Sequence, residues 1–374
     1  MEAILELKMG CNMSEDRILE CVGVSGEVKI GDLAIFDLSR MHTYRLITKL
    51  DNEGFIRTNT FDGYKTIRLT NIGKKYLMKK YPGKFDDFFS GCSETNKIRT
   101  EPNRRDRNLK LAQIKLMLYQ ANVNLFCDNK PLIAKNSFSN RTDGTDCVDC
   151  DYHFYTASEL KTHFTPFMQS RNSRALGVLV AKNSICIFYN AGDRIMRWCE
   201  EDEKFFRANV STQINQRFYR NSKIIRNIIV VTEQQMPSKI LENDGGRKST
   251  NLRVDRSIQN MHTIMYGVSD RIVLDMLIDK INYGAAMQNL IRNLGLSRKS
   301  EASQNIHDAY GRKVLPAFDM DLKKIDVYCR QLGVYDGRSV IYCLDFQKKY
   351  IEGYCGRACD IITVTEEEFR YAIE

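Results

Sequence analysis

Long apolar runs are missing from this chain of 374 residues. Runs such as Leu176–Ala181 and Ile228–Val231 fall far short of the roughly 20 residues that a bilayer-crossing helix needs. No apolar stretch follows a basic start, so the expectation is a protein that neither spans a membrane nor carries a secretory signal. Internal repeats and low-complexity segments are absent too. Cysteine is plentiful, but a disulfide framework is not. The twelve thiols are scattered, for example at Cys11, Cys21, Cys186 and Cys343, which in a chain of this length points to reduced cysteines and a cytoplasmic protein.

Acidic residues are scarce in two stretches. From Arg40 to Lys84 eleven Lys and Arg face only Asp51, Glu53 and Asp62, a net charge of +8. From Lys97 to Lys115 seven basic residues face Glu101 and Asp106, a net of +5, so the rest of the chain is slightly acidic against a total of +9. Such a footprint suits a polyanionic partner. With 43% hydrophobic content the chain can bury sizeable cores, and at roughly 100–200 residues per domain it should form two or three of them.

The first eighty residues are the most legible. Ser14 precedes an apolar pattern (Ile18, Leu19, Val22) that predicts a short helix, and a second short helix is expected near Lys29–Phe36. Ser39 is placed to cap a longer helix. In it Thr43, Leu46, Ile47 and Leu50 share one face, while Tyr44, Arg45, Thr48 and Lys49 lie largely on the other. Two alternating runs, Phe55–Phe61 and Tyr64–Thr70, flank Asp62-Gly63, a strong hairpin signal. Thr70 can cap a last helix that Pro82 closes.

This order of elements resembles a winged helix-turn-helix, and the stretch from Leu50 to Leu77 is similar to MarR-like and PadR-like winged-helix regulators. The resemblance implies that the third helix enters the major groove of double-stranded DNA with Arg40, Tyr44, Arg45, Thr48 and Lys49, while the hairpin brings Arg57, Asn59, Lys65 and Arg68 to the backbone.

Asp86–Asp106 lacks apolar periodicity and is expected to be a linker. Beyond it a helix is expected around Leu111, Ile114 and Leu118. Strand-like runs follow at Val123–Cys127, Ala175–Ala181 and Ser184–Asn190, the last two joined as a hairpin at Lys182-Asn183. A helix over Glu200–Gln216 and a strand over Ile228–Thr232 complete an order that restriction-endonuclease-like cores share with other α/β folds. The last third alternates again. Strands are expected at Met261–Val268, Lys313–Phe318, Ser339–Asp345 and Asp360–Val364, and helices at Asp270–Ile281, Leu322–Leu332 and Glu366–Ile373. The expected fold class is therefore α/β (α+β). Its expected divisions are a DNA-binding domain at residues 1–85, a linker at 86–104, a nuclease-like but inactive α/β domain at 105–235, and a second α/β domain at 236–374.

Three phrases, Phe154–Lys161, Ser173–Trp198 and Val340–Gln347, resemble replication-relaxation-type proteins of Gram-positive conjugative elements and plasmids. That resemblance implies a role in replication, mobilisation or its control, with replication or conjugation machinery and a second copy of the chain as further partners.

No motif carries catalysis. A restriction-type nuclease needs an acid and a Glu-x-Lys on neighbouring strands to hold a metal. Glu159-Leu160-Lys161, with Asp146, Asp149 or Asp151 upstream, is the candidate for that alternative. However, its register does not match the expected strands, and Thr156 to Glu159 is equally a capping box. Gly245–Thr250 departs from a phosphate loop, because Arg247 replaces the Gly before the Lys. The five histidines form no His-x-His pair, and His42-Thr43-Tyr44-Arg45 lies inside the expected groove-reading helix. Cys147, Cys150, His153 and His163 could staple a loop with zinc, but the histidine spacing matches no common finger. Cys355 and Cys359 are expected to be half-buried thiols. The expectation is no catalytic residue, no metal and no cofactor; a transcriptional regulator with an α/β sensing or dimerisation body is the other alternative.

Overall fold

The computed structural model describes residues 13–91, 93, 95–97, 100–126, 130, 152–163, 173–218, 224–243, 250–254, 259–267, 270–298, 306–332, 339–356 and 359–373. The chain divides into two compact units. Residues 1–132, 138–154 and 266–268 form the first, and residues 133–137, 155–265 and 269–374 form the second. This division does not follow the expected boundaries at 85, 104 and 235.

In the first unit α1 (Met13–Ser25) leads through β1 (Val28–Lys29) and a 3₁₀ turn (Ile30–Phe36) to α2 (Arg40–Asn52). The hairpin β2 (Ile56–Phe61) and β3 (Tyr64–Leu69) follows, then α3 (Asn71–Lys80), the short α4 (Asp86–Phe89) and α5 (Pro102–Gln120). The caps lie where the sequence places them. Ser39 Oγ accepts the His42 N–H at 3.2 Å, and Thr70 Oγ1 accepts the Gly73 N–H at 3.2 Å. The stripe of Thr43, Leu46, Ile47 and Leu50 is buried, each aliphatic side chain contributing about 1.5–3 kcal/mol.

Asp62 and Gly63 both take positive φ, 49° and 77°. A two-residue turn of that kind twists with the strands and fixes the antiparallel register Phe61↔Tyr64 through Ile56↔Leu69. β1 adds to β3, giving the sheet order β1-β3-β2. Gly73 lets α3 approach the hairpin, since a Cβ there would collide with the Phe55 carbonyl oxygen.

The segment expected to be a linker is largely structured. Phe85 and Phe88 are buried, and the Phe85 ring packs against those of Phe88, Phe89 and Phe126 at 6.2, 5.4 and 5.4 Å between centroids. A local knot of aromatics, not a periodic stripe, does the burying, so periodicity gave no sign of it. α5 starts earlier than expected because Pro102 fits the first helical turn, where an N–H has no partner to lose. Its residues Leu109 and Leu111–Leu118 are all buried. A helix buried all round carries no amphipathic signature.

Among the described residues the second unit holds two five-stranded sheets. The boundary between units runs through β4 (His153–Thr156), which is followed by α6 (Ala157–His163), β5 (Gly177–Val180) and β6 (Ser184–Gly192). Next come α7 (Glu200–Phe218), β7 (Ile224–Val231), α8 (Met236–Glu242) and β8 (Met261–Met265). The first sheet runs β4-β5-β6-β7-β8, with β5–β6 antiparallel and β6–β7 and β7–β8 parallel. The expected hairpin at residues 182–183 is present. The strand preceding it is β4 instead of Val123–Cys127, where the described residues make only a single bridge, Asn124 to His153.

The remaining elements are α9 (Arg271–Leu277), α10 (Tyr283–Asn293), β9 (Ser297–Arg298), β10 (Ile306–His307), β11 (Lys313–Pro316), α11 (Leu322–Leu332), β12 (Ser339–Leu344), α12 (Lys348–Cys355), β13 (Asp360–Val364) and α13 (Glu366–Ile373). They build the second sheet, β13-β12-β11-β10-β9, parallel from β11 to β13. One contiguous core joins residues of both sheets, among them Val178, Ile187, Ile229, Ile341 and Cys343. The stretches 105–235 and 236–374 therefore do not close around separate cores. Among the described residues no helix is long and apolar enough to cross a membrane.

Candidate nucleic-acid interface

Burial of one stripe of α2 turns the other face outward. Arg40, Met41, Tyr44, Arg45, Thr48 and Lys49 are all exposed, and several of them line an open groove along the helix, together with Glu15 of α1. Tyr44 stands beneath the Arg40 guanidinium, 5.8 Å from ring centroid to charge, which stiffens both side chains. Thr48 Oγ1 donates to the Tyr44 carbonyl at 2.9 Å, so its hydroxyl is tied to its own helix.

Lys49 differs from its neighbours. Its ammonium reaches the carboxylate of buried Glu15 at 2.7 Å, so a charge expected in the major groove has an internal partner.

The hairpin carries the other expected residues. Arg57 and Lys65 are exposed, whereas Asn59 and Arg68 are half-buried. Asn59 Nδ2 donates to the Arg57 carbonyl at 3.3 Å, which keeps the amide on its own strand. Lys29 of β1 sits over the Tyr64 ring, 4.0 Å from its centroid, a cation next to the hairpin tip that sequence reading did not single out.

Part of the second basic stretch is turned inward. Arg105 forms a two-point contact with Glu27, and buried Lys115 donates to the Val24 carbonyl. Arg104 pairs with Glu101 at 2.9 Å and Lys110 with Asp106 at 3.2 Å. Glu101 and Asp106 are already subtracted in the +5 excess, so it is Glu27, from outside the stretch, that offsets part of it through Arg105. A charge count along the chain cannot distinguish an interface from a paired helix.

Glu159 does what the capping-box reading requires. Its carboxylate accepts the Thr156 N–H, and Thr156 Oγ1 accepts the Glu159 N–H at 3.2 Å. Of the possible zinc ligands, Cys147 and Cys150 lie outside the described residues, as does the His163 side chain. His153 is buried, with Nδ1 at 3.4 Å from Asn124 Nδ2. Gly245–Ser249 also lies outside the described residues. Cys355 is fully buried, not half-buried, whereas Cys359 is intermediate.

Among the described residues only His262, Asp319 and Asp321, in the second unit, bring three potential metal ligands together, with donor atoms within 4.8 Å of one another. Sequence spacing could not find this group, because β8 and the approach to α11 are far apart in the chain. The Lys324 ammonium lies 3.0 Å from Asp319 and 3.4 Å from Asp321. Burial alone would raise the Asp319 carboxyl; Lys324 and His262 outweigh it and hold it below the usual range. Lys324 thus places one cation beside both carboxylates. No family model, curated protein or solved structure matches the chain.

Proposed function

We propose that the first unit is a winged helix-turn-helix that binds double-stranded DNA through α2 and the β2–β3 hairpin. The observation that carries this reading is the outer face of α2. A helix anchored by four buried residues presents Arg40, Tyr44 and Arg45 to solvent, and among the described residues no carboxylate neutralises either arginine. Base edges take bidentate hydrogen bonds from arginine, and phosphates take its charge. The hairpin, with exposed Arg57 and Lys65 beside that helix in sequence, supplies backbone contacts of the kind that fix register without reading sequence.

The α/β body of the second unit is then the part that dimerises or recruits replication or transfer machinery of a mobile element. Support for that role is the similarity of the three phrases described above. Restriction-type cleavage receives less support, because the Glu159 carboxylate is engaged in capping α6.

Selection of duplexes from a random pool by the full chain tests the reading. A recovered motif should bind at least tenfold more tightly than a scrambled duplex, and Tyr44→Ala with Arg45→Ala should abolish that preference. Recovery of no motif, or a motif bound equally well by the double variant, would remove α2 from the reading role.

A further inference from the structure

We infer that the first unit carries a pocket for a phosphate monoester, formed where the hairpin meets the start of α3. Arg57 and Arg68 are directly opposed in the β2–β3 register, an arrangement in which like charges destabilise a sheet. Neither guanidinium makes a hydrogen bond or an ion pair among the described residues. Both line a recess of about 360 Å³, whose wall also includes Lys74 of α3, Thr70, Asn71 and Asn96.

Three cations thus share one concavity that, among the described residues, no acidic side chain lines. Glu27, adjacent on the β1 side, is already held through both oxygens by Arg105 and by Thr66. The crowding is felt at Lys74. Burial first, and then the charge of Arg68, push its ammonium below the ordinary lysine value.

The recess is built, not incidental. Gly26 takes φ +79°, and a Cβ there would stand 2.8 Å from the Thr95 Cα, so glycine allows the 95–96 segment to close one wall. Asn96 from that segment holds the Lys74 ammonium at 2.7 Å. The first turn of α3 opens on the same recess, and only its Gly73 amide is used by the Thr70 cap, leaving the positive end of the helix toward the pocket. A terminal phosphoryl group fits this chemistry. It brings two negative charges and three strong acceptor oxygens to two forked guanidiniums and an ammonium. A backbone phosphodiester brings one charge and is the weaker match. The dianionic phosphoryl group could belong to a free nucleotide, to inorganic phosphate or to a 5′-phosphorylated strand end.

The inference is independent of duplex reading by α2. The full chain is melted in chloride, inorganic phosphate, a nucleoside 5′-monophosphate and dimethyl phosphate at matched ionic strength. Phosphate and the monoester should each raise the melting temperature of the first unit by about 2–4 °C at saturating concentration, and dimethyl phosphate should not. Arg57→Gln, at an exposed position, relieves the opposed pair. It should raise the melting temperature in chloride and abolish the phosphate increment, as should Lys74→Met. A merely structural arginine would show the reverse sign in chloride. A 5′-phosphorylated oligonucleotide that competes where the 5′-hydroxyl form does not would identify strand ends as a source. Equal stabilisation by dimethyl phosphate, or no difference between phosphate and chloride, would overturn the inference.

Discussion

In the first unit Arg40, Arg45, Arg57, Lys65 and Arg68 have no carboxylate partner among the described residues, whereas in the second unit Arg226 meets the largely buried Asp279 and Lys324 the buried Asp319. Arg226 bonds Asp279 at 2.7 Å, and Asp279 also accepts Ser184 Oγ at 2.6 Å. Outward cations add little to stability, because an exposed charge keeps its water; inward cations cancel a carboxylate that folding has stripped of water. The same residue type therefore has two different uses. A substitution separates them by whether it changes binding or melting.

The largest expected effect is on an inward pair. Arg226→Met keeps the aliphatic stem but takes the cation from the largely buried Asp279, which retains its Ser184 bond, and should cost about 3 kcal/mol in urea unfolding of the second unit. DNA affinity measured well below the transition should not change. An unaltered unfolding midpoint would show that the inward pairs contribute nothing and would erase the contrast.

A pH effect comes next. Burial pushes the Asp270 carboxyl up to about 7, against the opposing pull of the Met265 N–H and the Tyr350 hydroxyl. The folded form then holds a proton that the unfolded chain has released. This contribution is fully present below the unfolded carboxylate range and is lost as pH rises to about 7. Asp270→Asn should remove a slope of at most roughly 1.4 kcal/mol per pH unit between about pH 4 and 7. Parallel melting curves for the two proteins across that range would show Asp270 to be ordinary.

Lys49 sharpens the comparison, because it lies on the outward helix yet is paired inward. Lys49→Ala should lower stability by about 1–3 kcal/mol, since Glu15 is left buried without its cation. Arg45→Ala should stay within about 0.5 kcal/mol. Equal melting shifts for the two would mean that α2 does not divide into a bare face and a tied one.

How far the sequence carries depends on the range of the interactions involved. Local chemistry was legible. Ser39, Thr70 and Asp62-Gly63 act on neighbours a few residues away, and α2, the hairpin and α3 lie where they predict. The boundaries Leu322–Leu332, Asp360–Val364 and Glu366–Ile373 also coincide with the observed elements. Long-range pairing was not legible. Nothing along the chain says that Lys49 meets Glu15, that Arg105 meets Glu27, or that His262 lies beside Asp319. α5 was read too short because its first half is polar and its second half is buried all round, Gln113 and Lys115 included, so neither half shows a stripe, and α8, α10 and α12 were missed. The expected linker failed for a related reason, since Phe85, Phe88 and Phe89 pack as a cluster that has no period.

The central claim is that the outward cations of the first unit neutralise DNA phosphates, and the dependence of duplex affinity on salt tests it most directly. In a fixed duplex titrated from low to physiological salt, Arg40→Ala with Lys65→Ala should make the log–log slope shallower by about 0.9 for each phosphate contact removed, with melting unchanged. A slope equal to that of the wild type, with affinity preserved, would contradict the account.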